Sequence, residues 1–184
     1  MNSDNKLQFP PFLLKTIVVH TVTYSLMGII AMNALNYAEA FAAPGMASFM
    51  RQTTDPIVMA GPLFQPIRGL VFALVFYPLR EVFFNKKYGW LLMWWTLVGL
   101  GILSTFGPAP GSLEGMVFTT VPITNQLTGW IEIVPQAFLL SSILWYWVRN
   151  PKKRWISWIL WSIFVLFLLL LVLGLLVGSP TKPQ

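Results

Sequence analysis

Arg68 and Glu132 are the residues of this chain best placed to do chemistry. Each sits in a stretch apolar enough to enter a bilayer, where an ionisable side chain is costly and marks a candidate site. Arg68 lies 17 residues before Asn85, and Glu132 lies 17 residues before Arg149. On helices rising about 1.5 Å per residue, both stand about 25 Å from the ends that follow them. In a hydrocarbon core about 30 Å thick, that is one shared layer near the far face. The same count from Lys15 reaches Met32, beside Asn33, and from Trp90 it reaches Gly107. Gln65 and Pro66 adjoin Arg68, and Pro135 and Gln136 adjoin Glu132. A proline inside a helix frees a carbonyl one turn earlier. At this depth a freed carbonyl needs a protein partner, water or a ligand.

Three arrangements suit these residues. Arg68 and Glu132 can pair through two parallel hydrogen bonds, with Asn33 or Gln136 satisfying spare groups. Alternatively, Arg68 faces a water-filled pocket and holds an anionic group. In the third, its stem lies in lipid and its head reaches the headgroups. The expected ligand-binding set is Arg68, Glu132, Gln136, Asn33 and Gln65. A second polar group, His20, Tyr24, Tyr77, Arg80 and Glu81, is expected near the opposite face. There Arg80 would anchor its helix at the headgroups. His20, with an intrinsic pKa near 6.5, is either a proton relay or a hydrogen-bonded packing residue.

The catalytic inventory is thin. The chain has no G-x-S-x-G, H-E-x-x-H or Walker loop, and no paired intramembrane aspartates. A lipid-modifying enzyme would have to use Glu39, Glu114 or Glu132 as its base, and nothing selects among them. The absence of cysteine excludes disulfides, thiolate catalysis and cysteine-held metal clusters. The single His20 excludes bis-histidine haem ligation within one chain. No cofactor and no metal site is expected, and a binding or structural role is favoured over catalysis.

The elements that must position these residues follow from composition. Of 184 residues, 56% are hydrophobic and 10% are charged. A soluble domain carries about 25% charged residues, and a disordered chain is poor in apolar ones. The expected fold class is all-α: a polytopic integral membrane protein, a compact bundle of about five transmembrane helices forming one domain over 1–184. The spans are expected at about 12–36, 62–84, 90–106, 131–148 and 155–178. Pro44-Gly45 and Asp55-Pro56 break the first connection, where Met46, Phe49 and Met50 at helical spacing suggest a short interfacial helix. Within 112–130 the apolar stretch Met116 to Ile123 is too short to cross, and the region reads as an outer-surface helix or a re-entrant loop. Pro66-Ile67-Arg68 and Pro78-Leu79-Arg80 resemble each other, but no repeat relates the halves of the chain.

The basic residues set the topology. Lys86 and Lys87 follow the second span, and Arg149, Lys152, Lys153 and Arg154 follow the fourth. The other two connections offer Arg51 against Glu39 and Asp55, and Glu114 with no basic residue. With Lys6 and Lys15 at the start, this predicts a cytoplasmic N-terminus and an outside C-terminus. The net charge of +6 thus belongs to membrane topology, and no nucleic-acid partner is expected. Eight of the nine Trp fall near the cytoplasmic ends. They read as an interfacial belt, or else as the wall of a lipid-tail or quinone pocket. The fifth span is uncharged and apolar all round, so it should face lipid or a membrane-protein partner, with Gly174 and Gly178 as a G-x-x-x-G. The functional expectation is an outward-facing polar pocket that binds or transports a small anionic or amphipathic molecule. The alternative is a non-catalytic accessory subunit or assembly factor. The short loops suit a bacterial inner membrane.

Overall fold

A computed structural model describes residues 7–43 and 45–177, and all their regular structure is helical. Lys6 and Pro44, and Gly178 of the G-x-x-x-G, lie outside the described residues. Three helices are long and apolar enough to cross a membrane: Phe9–Ala34, Ile123–Arg149 and Arg154–Gly174. Two shorter apolar rods accompany them, Gly61–Phe76 and Gly89–Leu103.

Helix α1 (Phe9–Ala34) is the axis of the fold. Its residues 18–23, Val18 to Thr23, are all buried, so neighbours surround it on every side. The run is rich in β-branched residues, which weaken helices in water. In hydrocarbon a helix is the way for one segment to satisfy its own backbone, so that preference is overridden. The buried hydroxyls of Thr16 and Thr23 donate back to Phe12 and Val19 carbonyls, each at 2.9 Å. They thereby avoid needing a partner on another helix.

Helix α2 (Tyr37–Ala42) follows at once, with Asn36 as its N-cap. Residues 45–49 form turns, so the expected interfacial helix at Met46–Met50 is absent and α2 lies before it. Asp55 then caps α3 (Pro56–Met59), its carboxylate accepting from Ile57 N–H at 2.8 Å. That bond, followed by Arg51 at 3.0 Å, holds the Asp55 carboxyl below its usual range.

The expected second span is broken in two. A 3-10 turn (Gly61–Phe64) leads into α4 (Gln65–Phe76), and α5 (Arg80–Phe84) resumes after Tyr77-Pro78-Leu79. Pro78 lacks the N–H that would continue α4. Pro66 stands in the first turn of α4, where that N–H has no helical partner anyway. It therefore starts the helix and frees no carbonyl within it.

Helix α6 (Gly89–Val98) ends in a wider π turn (Gly99–Leu103), closed by Ser104 N–H to Gly99 carbonyl at 2.9 Å. Residues 112–130 divide between a short helix and the first turns of a long one. Helix α7 (Leu113–Phe118) is capped by Ser112, and α8 (Ile123–Arg149) begins eight residues before the expected start of the fourth span. Helix α9 (Arg154–Val177) completes the described chain.

Helices α4 and α8 both pack on α1, and α6 packs on α8. Gly69 makes the α1–α4 approach possible, since a Cβ there would stand 2.7 Å from Ile17 Cα. At one pole Tyr77 hydroxyl donates to Leu7 carbonyl, Lys15 to Trp147 carbonyl, and Trp145 and Arg149 to Lys86 carbonyl. The start of α1, the α5–α6 turn and the α8–α9 turn therefore meet there, and the chain's basic runs meet with them.

Candidate functional site

Three helix faces converge away from that basic pole. On α1, His20, Tyr24 and Gly28 recur every four residues and share a face. On α4, Gln65, Arg68 and Phe72 follow at steps of three and four residues and share a face, and on α8 Glu132 and Gln136 are one turn apart. His20 is fully buried and Gln65 is 4% exposed. His20 Nε2 meets Gln65 Oε1 at 3.1 Å, and Gln65 Nε2 donates to Gly61 carbonyl at 3.2 Å. The His20 ring stands edge-on to Phe72, centroids 4.8 Å apart. With Nε2 donating to Gln65, the neutral ring leaves Nδ1 as an acceptor, and Nδ1 has no partner among the described residues.

Glu132 faces α1 at Gly28, where a Cβ would lie 3.9 Å from Glu132 Oε1. Its other oxygen, Oε2, accepts a hydrogen bond from Tyr37 hydroxyl on α2. Tyr37 lies outside the candidate spans, and its phenol is pushed above its ordinary range. Burial is the main cause, and the bond to the Glu132 carboxylate adds to it. Arg68 is within electrostatic reach of both His20 and Tyr24, and Glu132 is within reach of Tyr24.

The expected residues thus meet in part. Gln65, Arg68 and Glu132 surround the His20–Tyr24–Gly28 face. Gln136 is buried one turn beyond Glu132. Asn33 is not brought in: it is exposed, and its amide donates to Ile29 carbonyl at 2.7 Å. Five residues beyond Gly28 places it about 140° around the helix. Arg68 and Glu132 do not pair. The ion pairs among the described residues are Arg51–Asp55 and Arg80–Glu81, the latter reaching 4.0 Å. Helix α1 explains this, because α4 and α8 each pack on it and Tyr37 takes the Glu132 carboxylate. Arg68 is exposed and has no hydrogen-bond partner among the described residues.

His20 and Tyr24 belong to this cluster rather than to the group expected around Tyr77 and Arg80. Arg80 instead lies over the Tyr77 ring, 4.5 Å from its centroid, and donates to Tyr77 carbonyl at 3.0 Å.

A polar centre not foreseen from the sequence surrounds Gln126, which is 2% exposed. Its carbonyl oxygen accepts from Gly111 N–H at 3.2 Å, and its amide donates to Val121 carbonyl at 2.7 Å and Gly115 carbonyl at 3.3 Å. Trp130 Nε1 donates to Gly111 carbonyl at 2.9 Å. Together they fasten the α6–α8 connection onto α8. The available signal was a glutamine one helical turn before a tryptophan, opposite a glycine-rich segment. Among the described residues no three metal-binding side chains gather. No protein-family model matches the chain, and neither does any curated protein or solved structure.

Proposed function

We propose that this chain is a five-span membrane protein that binds, and by extension transports, a small anionic or amphipathic molecule at Arg68. The observation that carries this reading is an uncompensated cation. Arg68 stands beside a buried polar cluster, and the nearby carboxylate, Glu132, is committed to Tyr37. A guanidinium in hydrocarbon demands a partner, and an anionic group of a ligand would supply two hydrogen bonds at once. Gln65, Glu132 and Gln136 would border the site, and Tyr24 would lie against the ligand.

The two shorter rods support five crossings. The rod Gly89–Leu103 starts beside the basic pole and ends at the Gln126-fastened loop, while the broken rod Gly61–Phe84 runs back toward that pole. With basic side chains gathered at that pole, the positive-inside rule puts it in the cytoplasm and Arg68 in the outer half. A bacterial inner membrane is the matching location.

The test uses butyl phosphate and butanol, too short to fill an acyl-chain site, as probes for the purified protein in mild detergent. The phosphate should bind and the alcohol should bind weakly. Arg68→Lys should keep the fold and the charge yet weaken phosphate binding about tenfold to a hundredfold, the range for a charge-assisted bond lost. Unchanged affinity in Arg68→Lys would sink the proposal. A second reading, an accessory subunit, is supported by α9, whose buried apolar residues are confined to Ile156 and Leu160 among those described. A stoichiometric protein partner copurifying with the chain would favour it.

A further inference from the structure

At the basic pole α6, α8 and α9 leave an apolar cleft of about 480 Å³ between them. Trp90, Ser142, Trp145, Tyr146, Trp155 and Ile159 contribute to its wall. The volume falls within the span of small-molecule sites, about 300 to 1,000 Å³. Ser142 satisfies its hydroxyl on its own helix, donating to Phe138 carbonyl at 2.8 Å, so it makes no demand on an occupant.

Cations cover two of the wall's aromatic rings directly. Arg149 lies 4.6 Å from the Trp145 centroid. Lys153 lies 4.8 Å from the Tyr146 centroid, and its ammonium donates to Tyr146 hydroxyl at 2.6 Å. Lys152 and Arg154 complete the α8–α9 turn, and Lys86 and Lys87 stand on the α6 side; all four are exposed. Lys86 is held there by its carbonyl, which accepts from Trp145 Nε1 at 3.2 Å and Arg149 at 2.9 Å. The acidic residue nearest in sequence to this side, Glu81, is engaged by Asn85 and Arg80.

An apolar cleft beside a cationic rim calls for a molecule that joins a hydrocarbon chain to an anion. We infer that this cleft seats an acyl chain of an anionic phospholipid, with its phosphate on Arg149, Lys153 and the neighbouring lysines. Basic pockets between membrane helices take lipid headgroups on the cytoplasmic side by the same physics. The site lies at the opposite pole from Arg68 and does not depend on what Arg68 binds.

Native mass spectrometry of the intact protein in detergent, titrated with phosphatidylglycerol and phosphatidylcholine of identical chains, tests the assignment. The wild-type chain should retain one phosphatidylglycerol in clear preference to phosphatidylcholine. Removing two cations in Arg149→Gln/Lys153→Gln should weaken phosphatidylglycerol about twenty-five-fold, at about fivefold per charge, and leave phosphatidylcholine unchanged. Ser142→Phe fills the cleft without altering charge and should displace both lipids. Ile159→Phe does so from an exposed position on α9 and replaces Ser142→Phe should that variant misfold, as judged by its circular-dichroism melt. Equal wild-type affinity for the two lipids, an unchanged charge variant, or a filled cleft that still holds phosphatidylglycerol would each overturn the assignment.

Discussion

Burial decides which polar residues matter energetically. The His20–Gln65 contact joins two side chains that hardly touch solvent. Removing one partner strands the other, at about 1 to 3 kcal/mol, whereas replacing both with apolar groups recovers most of the loss. Gln65→Leu should therefore destabilise the protein by about that amount. Adding His20→Phe should restore much of it in detergent unfolding; simple additivity of the two losses would show that the contact contributes nothing. Tyr37 offers a pH-dependent counterpart. Its folded pKa is raised above the unfolded value near 10, so the folded state holds that proton longer. The resulting stabilisation is complete below about pH 10 and is lost as pH rises through the folded pKa. The melting-temperature advantage of wild type over Tyr37→Phe should shrink from about pH 8 to about pH 11. An advantage constant across that range would remove the Glu132 bond from the account.

Close helix approach depends on single glycines. Gly69 admits Ile17 so closely that a methyl group would meet its Cα at 2.7 Å, a backbone atom that cannot swing aside. Gly69→Ala should push α4 from α1 and cost about 1 to 3 kcal/mol, the usual penalty of overpacking. Gly101→Ala, where nothing lies within 4 Å, is the matched control and should melt as wild type does. Equal melting of the two variants would mean that α1 and α4 are not in close contact. Hydropathy located Gly69 on an apolar helix but carried no sign of this contact, because a glycine's packing role depends on which helix faces it. The tryptophans show the same divide. Trp147 is buried and donates to Ser157 at 3.0 Å, and Trp94 donates to Val134 carbonyl at 3.1 Å. These two bind helices together, while Trp95, Trp155 and Trp158 are exposed as headgroup-seeking rings would be.

Over the whole molecule, orientation is the property most open to test, because the chain contains no cysteine. Single substitutions therefore give unambiguous labelling with a membrane-impermeant maleimide. Lys87→Cys and Lys152→Cys should react only after the membrane is opened, while Thr54→Cys and Phe118→Cys should react in intact cells. The reverse pattern would invert the proposed topology. That charge distribution was readable directly from sequence, as was the all-helical, membrane-compatible class. Both depend on sums over many residues: transfer of apolar side chains, and a bias of Lys and Arg to one side. Arg68 and Glu132 likewise stood out as ionisable residues within apolar stretches. Their failure to pair was not visible, because depth follows from counting along one helix and pairing depends on rotation between helices. Only the tertiary structure decided that α1 stands between α4 and α8, that His20 joins Gln65, that Tyr37 takes the Glu132 carboxylate, and that Gln126 fastens a loop. Each is a contact between elements distant in the chain, and along the sequence nothing but packing relates their faces.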